Sequence, residues 1–186
     1  MPLTMLLGGA RSGKSRLAIA LATATSAPVT VIATGEAGDA EMAERIEAHR
    51  AERPEGWVTV EEPYALEAAL ANADPASTVI VDCLTLWVAN SIGRGVASET
   101  VLDAAASAAA IAAARSALTV GVSNEVGLGI VPATPLARAY RDLLGSVNQI
   151  WVAASAEAGL VVAGRALALA DARALVADSV LAREMQ

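Results

Sequence analysis

The sequence predicts an α/β fold, a single domain in which helices flank a mostly parallel central sheet. Short apolar runs rich in β-branched residues alternate with alanine- and leucine-rich stretches, as in parallel sheets with helical crossovers. A length of 186 residues fits one domain with its own core. Residues 8–15 match G-x-x-x-x-G-K-[ST] between a predicted strand at 3–7 and a predicted helix at 14–25. We therefore expect residues 1–186 to form one phosphate-loop (P-loop) nucleotide-binding domain.

The matched pattern predicts a loop that binds a nucleoside triphosphate. Its glycines let the backbone bend until several N–H groups point at one anion, and the helix N-terminus adds its positive end. Lys14 is expected to face solvent in the empty loop and to reach the β and γ phosphates, while Ser15 holds Mg²⁺. A structural glycine turn is the alternative. The predicted nucleotide-binding residues are Gly8, Gly9, Ala10, Arg11, Ser12, Gly13, Lys14 and Ser15.

Two further strand ends carry candidate site residues. The second strand, predicted at 29–34, brings residues 34–36 to the carboxyl end of the sheet, where α/β folds commonly contact ligands. The third, predicted at 78–82, is an apolar run closed by Asp82. This is the form of a Walker B element, whose carboxylate reaches the magnesium shell. The alternative is that Asp82 merely caps the next helix.

The remaining elements continue the alternation of strands and helices. Asp39 can cap a helix over 40–53 that Pro54 stops, and a polar connection containing Trp57 leads to a helix over 64–73. The later elements are predicted as a helix through Trp87, a break at 93–95, a helix over 98–115, a strand over 117–123, a helix from Pro135, a strand over 159–164, and a short strand with a terminal helix.

Two features follow the fourth strand. Residues 124–132 form a polar, glycine-rich segment at a strand end, and Asn124 and Glu125 are candidate substrate contacts. The helix after Pro135 is amphipathic. Its predicted apolar face consists of Leu136, Tyr140, Leu143, Leu144, Val147 and Ile150.

Composition excludes several classes of function. The net charge is −7, from 13 basic and 20 acidic residues, so a broad surface for nucleic acid or anionic membrane is not expected. The longest weakly apolar run is nearly all alanine and ends at Arg115, so we predict no membrane span. The N-terminus enters the phosphate loop without a basic region, so no signal peptide is predicted. The single cysteine, Cys83, fits a reducing cytoplasm.

His49 is the one histidine of the chain. Met42 and Ile46 share its helical face, and that face is predicted to pack inward. A partly buried histidine bonded to backbone is therefore one interpretation. The other rests on Arg50 and Arg53, which could bind a triphosphate that His49 attacks. A neutral imidazole is an available nucleophile near pH 7, and its phosphoramidate leaves readily once protonated.

Taken together, these residues resemble the bifunctional adenosylcobinamide kinase/adenosylcobinamide-phosphate guanylyltransferase family of cobalamin biosynthesis. The resemblance spans nearly the whole chain, and its most specific part is Asn-Glu-Val-Gly followed by Gly-Ile-Val-Pro. It rests on residues 8–15, 32–34, 41–43, 45–46, 49–50, 53–54, Trp57, 82–85, 124–127, 129–132, 136–138, 141–142, Gly145 and 148–149. Residues from about 171 to 186 extend beyond the pattern, as a C-terminal extension.

The resemblance implies a RecA-like fold, a homotrimer, and two reactions that use ATP or GTP with Mg²⁺. A triphosphate phosphorylates adenosylcobinamide, and GMP from GTP then passes through His49 to adenosylcobinamide phosphate. The resemblance implies that His49 carries the guanylyl group, while the phosphate-loop pattern and the strand-end acid predict a catalytic role for Lys14 and magnesium contacts at Ser15 and Asp82. Beyond the phosphate loop, the implied nucleotide contacts are Ala33, Thr34, Gly35, Glu36, Arg50, Ala51, Glu52, Arg53, Glu61, Glu62 and Asp82.

Two rival functions remain at this stage. A RecA-like ATPase that works on a polymer would need a basic channel, which the acidic composition disfavours. A small-metabolite kinase without guanylyl transfer would leave His49 with a structural role.

Overall fold

A seven-stranded sheet organises the chain in a computed structural model that describes residues 3–171. The elements are β1 Leu3–Gly8, α1 Lys14–Ala24, β2 Val29–Ala33, α2 Ala40–Ala51, β3 Val58–Glu61, α3 Leu66–Asn72, β4 Thr78–Asp82, α4 Leu84–Gly93, α5 Ser98–Ala114, β5 Thr119–Asn124, α6 Pro135–Ala154, β6 Glu157–Val162 and β7 Arg165–Ala168. The predicted terminal helix lies outside the described residues.

The strand order is β3-β2-β4-β5-β1-β6-β7, with every pair parallel except β6 and β7. The mostly parallel sheet is therefore confirmed. Strand β5 lies between β1, which carries the phosphate loop, and β4, which ends at Asp82. Because neighbouring strands are about 4.8 Å apart, the ends of β1 and β4 are separated by about 10 Å. That gap leaves room for phosphate groups and a metal ion between them.

The core is formed on both faces of the sheet. On one face, alternate residues of β1, namely Leu3, Met5 and Leu7, pack with buried side chains of α3, α4, α5 and α6. On the other face, Leu6 packs with Ala18 and Ala22 of α1. Residues of the central strands are buried on both sides, which explains why these strands are continuous apolar runs rather than alternating ones.

The structure corrects two predicted elements. The polar connection after α2 contains a strand, β3, which pairs in parallel with β2 at the edge of the sheet. The buried face of α6 is also displaced toward its C-terminus, because Leu136 is exposed while Trp151 is fully buried in the core. Among the described residues, no helix is long and apolar enough to cross a bilayer.

Candidate active site

The phosphate loop is held tightly between β1 and its neighbours. Gly8 lies in register with Asn124 of β5, and a Cβ on Gly8 would stand 2.3 Å from the carbonyl oxygen of Val161 in β6. Gly13, the N-cap residue of α1, has φ of 100°, a conformation that glycine adopts without strain. The Gly164 amide in the β6–β7 turn donates to the Ser12 carbonyl at 2.8 Å. The loop is thus fixed from both sides of β1.

Lys14 is buried, which corrects the expectation that it faces solvent. Its side chain is folded back so that Nζ donates to the Gly9 carbonyl at 3.0 Å, and only 8% of the residue is exposed. Burial lowers the pKa of the Lys14 ammonium, while the nearby Asp82 carboxylate opposes this shift. The loop curls around its own lysine and partly satisfies the cation with a backbone oxygen.

Ser12 adds an observation that fits a phosphate ligand. Its hydroxyl is buried and has no hydrogen-bond partner among the described residues. A buried hydroxyl without a partner costs free energy, and a phosphate oxygen in the loop could accept a hydrogen bond from it. Gly9, Ala10 and Arg11 are exposed at the outer rim of the loop, where a bound nucleotide could reach their backbone.

Asp82 ends β4 and faces the arginine that follows α2. The Arg53 guanidinium lies 4.0 Å from the Asp82 carboxylate and donates to the Thr59 hydroxyl at 2.9 Å. The two charged side chains are only 10% and 21% exposed, so water screens their attraction less than at an open surface. Arg53 therefore connects the segment after α2, the histidine helix that carries His49, with Asp82, the predicted magnesium ligand.

Thr34 fixes the backbone around Asp82 from inside the protein. Its hydroxyl donates to the Cys83 carbonyl at 2.6 Å and accepts from the Cys83 amide at 2.9 Å, while the Thr34 amide donates to the Asp82 carbonyl at 3.0 Å. Thr34 is fully buried, so the geometry supports an indirect contribution to nucleotide binding. Burial also raises the pKa of the Cys83 thiol to about 11, which keeps it protonated.

His49 is exposed, so the prediction that its face packs inward is wrong. Met42 and Ile46 are only partly buried, and Ile46 covers the end of β2, 3.4 Å from the position of a Cβ on Gly35. The imidazole instead lines a cavity of about 20 Å³ that Ser15 and Asp82 also line. The structure thus brings together the histidine, the phosphate loop and the strand-end acid.

The other candidates on and after α2 are tied to one another. Arg50 pairs with Glu47 at 2.8 Å and with Glu61. Glu62 accepts hydrogen bonds from the Tyr64 and Ala65 amides at 2.9 and 2.8 Å, in the turn just before α3. Glu61 is the more exposed of the two acids, although Arg50 is paired with it. Ala51 and Glu52 are exposed where α2 ends.

Several contacts that organise the site gave no recognisable signal in the sequence. Glu36 accepts a hydrogen bond from the Tyr64 hydroxyl, and the Arg94 guanidinium lies 3.6 Å from the centre of the Tyr64 ring. Thr85 accepts from the Asn124 amide at 2.7 Å, and Asn148 donates to the Asn124 carbonyl at 3.0 Å. The hydrogen bonds join residues 24 to 39 positions apart, so local patterns could not reveal them.

The residues around the cavity fit a magnesium ion that completes its shell with phosphate and water. No group of three or more His, Cys, Asp or Glu that could hold a metal occurs among residues 3–171. Mg²⁺ in nucleotide sites commonly uses one or two protein oxygens together with substrate phosphates. Ser15 and Asp82, which line the same cavity, supply such a pair.

The fold and this site define a RecA-like P-loop nucleotide-binding protein. One solved structure of an ATPase domain gives a TM-score of 0.50 at 11% identity, covering 86% of this chain and 68% of that one. A prototypical ATPase from the type III secretion system of pathogenic bacteria gives a TM-score of 0.51 at 12% identity. The match covers 96% of this chain and 62% of that one. Likeness at such low identity shows the fold alone.

Sequence comparison identifies the family. The family model described as cobinamide kinase / cobinamide phosphate guanyltransferase matches residues 4–169. The chain is 44% identical to the bifunctional adenosylcobalamin biosynthesis protein CobP of Pseudomonas aeruginosa, covering 78% of this chain and 84% of that protein. It is 42% identical to the bifunctional adenosylcobalamin biosynthesis protein CobU of Escherichia coli (strain K12), covering 86% of this chain and 95% of that protein. The chain belongs to the cobinamide kinase / cobinamide phosphate guanyltransferase family.

Proposed function

We propose that this chain is a bifunctional kinase and guanylyltransferase of cobalamin biosynthesis. It phosphorylates adenosylcobinamide with a nucleoside triphosphate, ATP or GTP. It then transfers GMP from GTP to adenosylcobinamide phosphate, giving adenosylcobinamide-GDP and pyrophosphate. The observation that carries this proposal is that His49 lines one cavity with Ser15 and Asp82, so the nucleophile and the phosphate site are adjacent.

In the kinase reaction, the γ-phosphoryl group passes directly to the aminopropanol hydroxyl of adenosylcobinamide. Lys14 leaves the Gly9 carbonyl and donates to the phosphates, and the loop amides hold charge that develops in the transition state. Ser15 and Asp82 would hold Mg²⁺, which would neutralise negative charge on the triphosphate. Asn124 and Glu125, beside the first residue of the loop, are the candidate contacts for the acceptor.

In the guanylyl transfer, a nitrogen of the His49 imidazole attacks the α-phosphorus of GTP, and the bond to pyrophosphate breaks. A phosphate oxygen of adenosylcobinamide phosphate then attacks the same phosphorus and releases the histidine. Arg50 and Arg53 supply positive charge for the anionic donor, and Glu61 contacts it once Arg50, its present partner, turns away. Dividing the transfer into two steps spares a direct reaction between two bulky anions.

The test of the second reaction is a covalent adduct. Purified protein is incubated with GTP labelled at the α-phosphate, denatured, and examined for bound label. We expect label that survives denaturation and is released by acid, as a phosphoramidate requires. Label that acid does not release, or no label at all, would contradict guanylyl transfer through histidine. A kinase without this step would then describe the protein better, although an exposed His49 lacks the burial expected of a structural histidine.

We further propose a cytoplasmic homotrimer. Support comes from the edge of the sheet, where Val162 and Leu167 of the β6–β7 hairpin are exposed apolar residues available to a neighbouring subunit. A lone thiol with no disulfide partner suits a reducing compartment. Analytical ultracentrifugation at micromolar concentration tests the assembly. A sedimentation mass three times that of the chain is expected, and a stable monomer would contradict it.

A further inference from the structure

The segment between β5 and α6 exposes large apolar side chains beside the active site. In this β5–α6 loop, residues 125–134, Leu128 is 83% exposed, Ile130 96% and Val131 69%. Leu136, at the start of α6, is a further exposed apolar residue, 65% exposed. Single exposed apolar residues are ordinary, but several within one short segment mark a surface that binds something.

The loop leaves the sheet directly at the phosphate site. The Glu125 amide donates to the carbonyl of Gly8, the first residue of the phosphate loop, at 3.1 Å. Gly8 is also the register partner of Asn124, the last residue of β5. A ligand that rests on the loop is therefore adjacent to the place where the γ-phosphate is transferred.

Hydrogen bonds hold both ends of the loop. At its entry, a carboxylate oxygen of Glu125 accepts from the Gly127 amide at 2.5 Å. At its exit, the Arg138 guanidinium donates to the Pro132 and Ala133 carbonyls at 2.9 Å each, and Thr134 caps α6 by accepting from the Ala137 amide. These bonds fix the positions at which the loop leaves and rejoins the fold, although its apolar side chains face solvent.

The chemistry of the loop selects the occupant. Residues 126–136 contain no charged side chain, so their exposed side chains fit an apolar ligand surface better than a phosphate or a nucleotide. We propose that the β5–α6 loop is the surface on which the corrin ring of the acceptor rests. This inference depends on the proposed function. The corrin macrocycle carries methyl groups on both faces and neutral amide arms, and its hydroxyl arm must reach the phosphate loop.

The alternative occupant is a second copy of the chain, and the position of the loop favours the acceptor. Both reactions require a bulky corrinoid to enter at the carboxyl edge of the sheet, next to Gly8. A subunit seated over Leu128 and Ile130 would cover that edge. The exposed β6–β7 hairpin offers a separate apolar surface for assembly.

The test uses the full-length protein and serine substitutions. Ile130→Ser and Val131→Ser remove apolar contact area from the loop. Val58→Ser is the matched control, because Val58 is 57% exposed but lies at the amino end of β3, the opposite edge of the sheet. Three quantities are measured: kinase kcat and KM for adenosylcobinamide, equilibrium dialysis of adenosylcobinamide, and formation of the GMP adduct from GTP alone.

We expect the loop variants to raise both the dissociation constant and the KM for adenosylcobinamide about tenfold each, as loss of a well-buried apolar contact does. The KM for the triphosphate, the adduct yield and the control should match wild type. Unchanged corrinoid affinity in an active enzyme would overturn the inference and leave the proposed function intact. So would a shift in sedimentation of Ile130→Ser without loss of corrinoid affinity. A wild-type protein that does not phosphorylate adenosylcobinamide would remove the proposed function and this inference together.

Discussion

The phosphate loop and the histidine helix form two halves of one site, and they are built differently. The loop emerges from fully buried β1, is bonded on both sides, and carries a lysine that is only 8% exposed. Helix α2 has no buried residue among those whose side chains are described, and His49, Arg50 and Glu47 are exposed on it. Partly buried Ile46 lies against Gly35 just after β2, and Arg53 in the segment after the helix lies 4.0 Å from Asp82.

This difference follows the demands of the two reactions. Phosphoryl transfer depends on donors fixed in advance around the developing charge, and buried, hydrogen-bonded elements provide them. In the proposed guanylyl transfer, His49 must reach the α-phosphorus of GTP. It must then present the bound GMP to adenosylcobinamide phosphate, which is larger. An exposed helix with few buried contacts has the lower local stability that such a role tolerates. Perturbing either half should therefore affect the two activities unequally.

Removing the imidazole should produce the sharpest separation. His49→Ala should abolish the acid-labile GMP adduct and pyrophosphate release from GTP, because no other histidine exists in the chain. Phosphorylation of adenosylcobinamide should continue, since that transfer needs no enzyme nucleophile. His49→Gln, which keeps polarity without forming a phosphoramidate, should behave alike. An adduct in His49→Gln, or a joint loss of both activities and thermal stability, would disprove the covalent role.

The second prediction concerns the phosphate loop, the other half of the site. Lys14→Ala should lower kinase kcat/KM by about 10²-fold or more, because a donor aimed at the transferring phosphoryl group is lost. Removing a buried cation also removes its desolvation penalty, so the thermal midpoint should fall little. Thermal unfolding followed by circular dichroism provides the folding control. A well-folded Lys14→Ala enzyme with near wild-type kinase activity would exclude the assigned role.

The third prediction tests Asp82, the acid that lies between the phosphate loop and the histidine helix. Asp82→Asn keeps the size of the side chain but removes its charge, so both activities should fall by about tenfold or more, and excess Mg²⁺ should partly restore them. Titration of activity against Mg²⁺ gives the apparent affinity. Asp103→Asn, on an exposed position of α5, is the matched control. If the magnesium dependence does not change, Asp82 is a strand-end cap only.

Much of this architecture was predictable because its signals are local. Strand β4 occupies residues 78–82 as predicted, and Asp39 caps α2 by accepting from the Met42 amide at 2.8 Å. A continuous apolar run and a capping residue each act within a few positions. Strand β3 was missed because an edge strand of four residues, with Val58 and Val60 exposed, has no burial pattern to detect.

The errors within the site have a common physical cause. Helical spacing places His49 with Met42 and Ile46, but spacing cannot tell whether that face meets the core or a cleft. The inward position of Lys14 likewise depends on the loop folding back to offer the Gly9 carbonyl. The partnership of Thr34 with the backbone of Cys83 joins residues 49 positions apart in sequence. Such facts depend on tertiary packing rather than on local sequence.

The fourth prediction uses the burial of Lys14 as a pH probe. Burial lowers the pKa of this ammonium below its usual 10.5, and the charged form is the active one. Kinase kcat/KM should therefore decline as pH rises through that lowered pKa, by about tenfold per pH unit beyond it. Lys14→Arg, whose guanidinium stays charged, should lack this alkaline limb. If kcat/KM of Lys14→Arg still declines at alkaline pH, the decline reports the titration of a group other than Lys14.

The smallest expected effect concerns the cap of the histidine helix. Asp39→Ala removes the acceptor for the Met42 amide, at a cost of about 1 kcal/mol to α2. Because α2 has little buried contact to compensate, the rate of GMP adduct formation from GTP should fall about two- to fivefold while kinase kcat stays unchanged. Asp39→Asn should restore the rate, since asparagine also caps.

Thr134→Ala is the matched control for the Asp39 substitution. It deletes an equivalent cap, the acceptor for the Ala137 amide at 3.2 Å, from α6. That helix packs in the core through Leu144 and Trp151, so adduct formation from GTP should not change. Rapid-quench measurement of labelled adduct compares the variants. Equal slowing by both substitutions would mean that α2 is no more weakly held than α6, and the contrast between the two halves of the site would then lack an energetic basis.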